Sequence, residues 1–131
     1  MRGHLIRIVC VAVVGFLTTS LSAAEWTKES LADVKKAVED GKAVLLDVRE
    51  KSEWDAGHIE GAIWLPISQL NDGISEAELA RLPKDKVIYV HCMVGKRSLQ
   101  ATELLKPKMV LVRALKPGYK ELLEAGFPKA E

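Results

Sequence analysis

A chain of 131 residues, 48% hydrophobic and 28% charged with a formal net charge of +1, has material for one small core and none for a second. Its basic and acidic side chains are interspersed, which excludes the one-sided basic footprint of a nucleic-acid binder or of a protein held on an anionic membrane surface.

The first 24 residues carry no acidic side chain. They run from Arg2 and Arg7 through an apolar stretch, Ile8 to Leu17, into the small and polar "TTSLSAA". That order predicts a secretory signal peptide over 1–24, cleaved after Ala24 or Ala23, and an exported domain over 25–131, periplasmic or secreted. The alternative is an uncleaved anchor, but ten apolar residues fall well short of the roughly 20 a spanning helix needs. No stable membrane insertion is therefore expected after cleavage. The remainder keeps 17 basic and 18 acidic side chains and a single cysteine, Cys92, because Cys10 leaves with the leader. One thiol cannot make a dithiol redox pair, and His58, His91 and Cys92 fall short of the four ligands of a structural zinc site. No metal and no cofactor are expected.

Onward from Trp26, "TKESLADVKKAVEDGKA" predicts an amphipathic helix capped by Thr27, with Leu31, Val34 and Val38 on one stripe and Gly41 at its end. "AVLLDV" (43–48) has strand length. "EKSEWDAGH" predicts a helical turn capped by Ser52 and closed by Gly57, and "AIWLP" a brief strand. A helix over "SEAELARL" (75–82) follows an "NDG" turn. "KVIYVH" (86–91), nearly all β-branched or aromatic, is the strongest strand signal. Then come a helix over "SLQATELLK", a strand over "MVLVRA", and a last helix from Pro117 to Gly126. Strands alternating with helices, and apolar without alternation around Val44, Val87 and Val110, imply a parallel sheet covered on both faces. The ligand site of such a sheet lies beyond the carboxyl ends of its strands.

"HCMVGKRS" (91–98) occupies that place, between the strongest strand and a helix. Helix amides and a tight turn at Gly95 can form an anion-binding nest, and Lys96 and Arg97 add positive charge. Each favours thiolate over thiol, so Cys92 reads as a nucleophile that must be reachable from solvent. The alternative is a buried structural cysteine. His91 precedes Cys92 in a strand, so the two point to opposite faces, and His91 is expected to donate a hydrogen bond that fixes the loop rather than to act as a base.

In this order and spacing, Asp47-Val48-Arg49, "GHIEGA" (57–62) and the cysteine loop resemble a rhodanese-like (sulfurtransferase) domain over roughly Thr27 to Pro128, of the short exported phage-shock type. The resemblance implies an α/β, three-layer rhodanese-like fold with a small, mostly parallel sheet of about five strands and helices on both faces. It implies a catalytic Cys92 in a substrate loop of Met93, Val94, Gly95, Lys96 and Arg97. Loops that start with the catalytic cysteine have six residues in rhodaneses and seven in related phosphatases; Cys92 to Arg97 makes six. It further implies a Cys92 persulfide loaded from a small anionic donor (thiosulfate or a persulfide) and discharged to a thiol or cyanide. Lys96 would attract the donor, and Arg97 would either do the same or pair with a carboxylate to hold the loop closed. Asp47, Arg49, His58, His91 and Ser98 would support the loop. Trp26, Trp54 and Trp64 read as core or rim. Where the family often carries two glycines and a tryptophan, "LKPGYKELL" has Pro117, Gly118 and Tyr119. A non-catalytic binding module on the same fold is the alternative, and a phosphatase or arsenate reductase is disfavoured by loop length.

Overall fold

The computed structural model describes Gly15 and residues 23–109 and 111–131. The expected leader and Cys10 lie almost entirely outside the described residues. From Leu31 the chain alternates: α1 (Leu31–Glu39), β1 (Ala43–Asp47), α2 (Lys51–Ala56), β2 (Ile63–Trp64), α3 (Ile67–Asp72), α4 (Glu76–Ala80), β3 (Val87–His91), α5 (Lys96–Leu105), β4 (Val112–Ala114) and α6 (Tyr119–Glu124).

The sheet is parallel throughout in the order β2-β1-β3-β4, four strands among the described residues where about five are expected. A remnant of a fifth is visible. Trp26 bridges Ala114 in parallel register, and the Thr27 amide donates to Ala114 O at 2.8 Å. That pairing holds residues 26–27 extended, so Thr27 does not cap α1; Ser30 does, its hydroxyl accepting from the Asp33 amide.

Side chains alternate across the strands and split the core in two. Leu46, Val48, Ile88 and Val90 face Leu70, Ala101 and Leu105 on one side. Ala43, Leu45 and Tyr89 face Val34, Leu122 and Phe127 on the other. Both faces are covered, which is why the strands read as unbroken apolar runs.

Three further elements differ from their expected form. "ISQLND" is a helix, α3, and the Asn71-Asp72-Gly73 "turn" is its end, closed by Gly73 at φ +108°. Helix α2 opens at Glu50 rather than Ser52, with the Glu50 amide donating to the Glu53 carboxylate at 3.2 Å. Helix α5 opens at Lys96, not near Ser98, so Lys96 and Arg97 form its first turn.

Candidate active site

Strand β3 delivers Cys92 to the carboxyl edge of the sheet, at the mouth of α5. Gly95 makes the turn possible. Its φ of +87° lies in the left-handed region, and a Cβ there would meet Lys116 O at 2.7 Å and Lys116 Cα at 3.1 Å. The turn aims two backbone N–H groups inward: Gly95 N lies 3.1 Å and Ser98 N 3.4 Å from Cys92 Sγ. Partial positive charge at the start of α5 is thus concentrated on one sulfur.

That sulfur is not reachable in this conformation. Cys92 has no exposed surface, whereas Val94 at the loop tip is 74% exposed and Met93 36%. A nucleophilic Cys92 needs an accessible sulfhydryl, as expected from the sequence, and here the sulfur is enclosed. The cause is the same inward curl that brings the amides to Sγ, together with packing of Cys92 into the Val48–Ala101 side of the core.

The loop is clasped from behind. The N–H of Tyr119, first residue of α6, donates to Cys92 O at 2.9 Å. Ser98, fully buried, places its hydroxyl 2.8 Å from Gly95 O and 2.7 Å from Leu115 O. Arg97 forks onto Glu53 of α2 at 2.6 and 2.9 Å, with both side chains roughly a quarter exposed. The pair's hydrogen bonds hold the Glu53 carboxyl below its ordinary range and Arg97 above its own. Lys96 is exposed beside them. Sequence spacing carries no sign of Glu53, which stands 44 positions from Arg97.

Asp47 and Arg49 lie at the end of β1, fully buried and paired. Arg49 Nε reaches Asp47 Oδ1 at 3.0 Å, while Nη2 reaches Asp47 Oδ2 at 2.8 Å and Gly57 O at 2.7 Å. The guanidinium stacks 4.1 Å from the Tyr119 ring centroid. Arg49, Ser52, Glu53, Ala56, Gly57, Met93 and Tyr119 line a cleft of about 310 Å³ at the loop tip. His58 does not touch the cysteine loop through its ring nitrogens. Its Nδ1 lies 3.0 Å from Trp54 O, and its ring stacks on Trp54 at 3.6 Å.

His91 differs from its expected role. It is fully buried on the opposite face from Cys92, and neither ring nitrogen has a hydrogen-bond partner among the described residues. Burial pushes its pKa down to about 4, against the opposing pull of the Asp47 carboxylate 3.9 Å away. His91 is therefore a neutral packing residue. The tryptophans, read as core or rim, are tied to the site's frame: Trp26 Nε1 donates to Gly95 O, and Trp64 Nε1 to Arg49 O, both at 2.9 Å.

Comparison with known proteins adds the family dimension. The family model "Rhodanese-like domain" matches residues 30–125. A human thiosulfate:glutathione sulfurtransferase is 33% identical over 87 residues, covering 59% of this chain and 75% of that protein. The probable adenylyltransferase/sulfurtransferase MoeZ of Mycobacterium tuberculosis is 42% identical over 65 residues, half of this chain, which spans only 16% of that protein. Among solved structures, the human single-domain sulfurtransferase TSTD1 superposes with a TM-score of 0.64 at 30% identity, over 79% of this chain and 96% of that one.

Proposed function

This chain belongs to the rhodanese-like domain family, and we propose that it is a sulfurtransferase that carries sulfane sulfur on Cys92. The observation that supports this most is the convergence of the Gly95 and Ser98 amides on Sγ. Two N–H dipoles at the start of a helix stabilise negative charge on that atom and on a second sulfur attached to it.

In the first half-reaction the Cys92 thiolate attacks the outer sulfur of thiosulfate. The S–S bond of the donor breaks, sulfite leaves with the electron pair, and Cys92–S–S⁻ remains. In the second half-reaction cyanide or a thiolate attacks the outer sulfur of the persulfide. The electron pair returns to Cys92, and thiocyanate or an organic persulfide departs. Lys96, exposed at the loop, attracts the anionic donor. Arg97, already committed to Glu53, braces the loop, and Asp47, Arg49 and Ser98 hold its frame. The enclosed sulfur adds a requirement: the Met93–Val94 tip swings aside before a donor enters. A leader over 1–24 would place the domain outside the cytoplasm.

The reading is tested by initial-velocity kinetics with thiosulfate and cyanide. Thiocyanate should form with parallel double-reciprocal lines, the mark of double displacement, and Cys92→Ser should form none. Intersecting lines, or turnover by Cys92→Ser, would refute the persulfide route. The burial of Cys92 favours a second reading, a binding module whose cysteine is structural. A folded wild-type protein that takes up no sulfur from thiosulfate or from a persulfide donor would support it.

A further inference from the structure

Trp26 stands 69 positions from Gly95 in sequence, yet its indole N–H donates to Gly95 O at 2.9 Å. Gly95 is the residue whose own N–H points at Cys92 Sγ. Lys116 completes the grip: its backbone crowds the Gly95 Cα, and its ammonium lies 5.2 Å from the Trp26 ring centroid. The Gly95 carbonyl has two lone pairs and three neighbouring donors, Trp26 Nε1, Ser98 Oγ and the Leu99 amide at 3.3 Å. Ser98 has a single hydroxyl proton for Gly95 O and Leu115 O together. With that proton on Leu115 O, Trp26 and Leu99 fill the Gly95 carbonyl.

Trp26 itself is partly exposed, at 38%. Among the described residues its backbone pairing with the sheet is one bridge to Ala114 and one amide bond from Thr27, the next tie being Glu29 to Tyr89 and Arg113. A side chain that clasps a buried nucleophile's loop while hanging from so short a pairing is placed to release before the core does.

We infer that Trp26 is a latch on the Cys92 loop: its hydrogen bond to Gly95 holds the loop shut over the sulfur, and its detachment opens access. Trp26 is a positioning residue, acting on the sulfur through Gly95. The inference rests on the sulfur-transfer reading only for its consequence in turnover.

The experiment is alkylation of the full-length chain by iodoacetamide, followed by mass spectrometry on the Cys92-bearing peptide, in wild type, Trp26→Phe and Trp26→Ala. Trp26→Phe keeps the ring and deletes the N–H donor. It should alkylate about fivefold faster, the factor one ordinary hydrogen bond contributes, and Trp26→Ala faster still. Amide hydrogen exchange separates a latch from general weakening. The Gly95 amide should speed up in Trp26→Phe while those of Leu46 and Val90 keep their wild-type rates. Unchanged alkylation in Trp26→Phe, or acceleration of all three amides together, overturns the latch. Alkylation does not depend on sulfur transfer. A chain that never takes up sulfur but whose Cys92 is unmasked by Trp26→Phe would sink the enzymatic reading and leave the latch standing.

Discussion

Gly118 presses its bare Cα against the peptide that joins Met93 to Val94. A methyl group built there would lie 1.8 Å from Met93 O and 2.4 Å from Met93 C. Both are backbone atoms, so no rotamer change relieves the overlap, and the loop or α6 has to move. Gly118→Ala should lower the unfolding free energy by about 1–3 kcal/mol, as overpacking does. Displacing the loop by about an ångström should cost sulfur loading on the order of a hundredfold. Denaturant titration and single-turnover sulfite release check the two effects; wild-type values for both would mean that the loop and α6 are not packed this way.

Arg97 and Glu53 form a two-point fork between α5 and α2. If Arg97 braces the loop, its effect depends on Glu53. A double-mutant cycle with Arg97→Ala and Glu53→Ala should show a coupling of about 1 kcal/mol in stability, and the second mutation should add little to the loss of loading caused by the first. Additive losses in loading would give Arg97 a role of its own with the donor.

His91 makes stability depend on pH in a definite direction. Its native pKa is about 4 against an ordinary 6.5. Between those values the unfolded chain binds a proton that the folded chain refuses, so stability rises with pH across the window and falls on acidification from 6.5 toward 4. Below 4 both states are protonated and the full penalty, about 3 kcal/mol, has been incurred. Carboxylates titrate in the same range, so the comparison is with His91→Leu, which keeps an apolar filling and lacks the proton site. The difference in unfolding free energy between the two proteins should change across pH 4–6.5 in favour of wild type as pH rises. A constant difference would mean that His91 is solvated or hydrogen-bonded in solution.

Lys96 is exposed in the first turn of α5, where its charge would meet an incoming anionic donor. Lys96→Ala should weaken the use of thiosulfate several-fold and leave a neutral persulfide donor nearly unaffected, with the thiosulfate loss shrinking at high salt. Specificity constants for the two donors decide it, and equal losses would remove Lys96 from donor recognition.

The legible part of this chain was periodicity and punctuation. Unbroken apolar runs at 43–46 and 87–90 mark doubly covered strands, and a glycine between a strand and two cations marks the turn at Gly95. The missed elements are those in which local signals compete. Asn71-Asp72-Gly73 reads as a turn until Ile67 and Leu70 are seen buried beneath a short helix. Thr27 is a good helix cap that pairing with Ala114 draws into extended backbone. Contacts between remote positions left no trace at all. Trp26 on Gly95, Glu53 on Arg97 and Gly118 against Met93 join segments whose spacing encodes only their own helices and strands. The unpartnered ring of His91 has no sequence signal, because strand alternation gives the face a residue occupies, not the polar atoms waiting there.

Amides gathered on Cys92 Sγ should let it carry a second sulfur. Intact-mass measurement tests it most directly: the protein is incubated with thiosulfate, desalted, weighed, and weighed again after cyanide, with Cys92→Ser in parallel. Wild type alone should gain one sulfur atom, and cyanide should remove it. A folded wild-type protein that never gains that mass, or a Cys92→Ser variant that does, contradicts it.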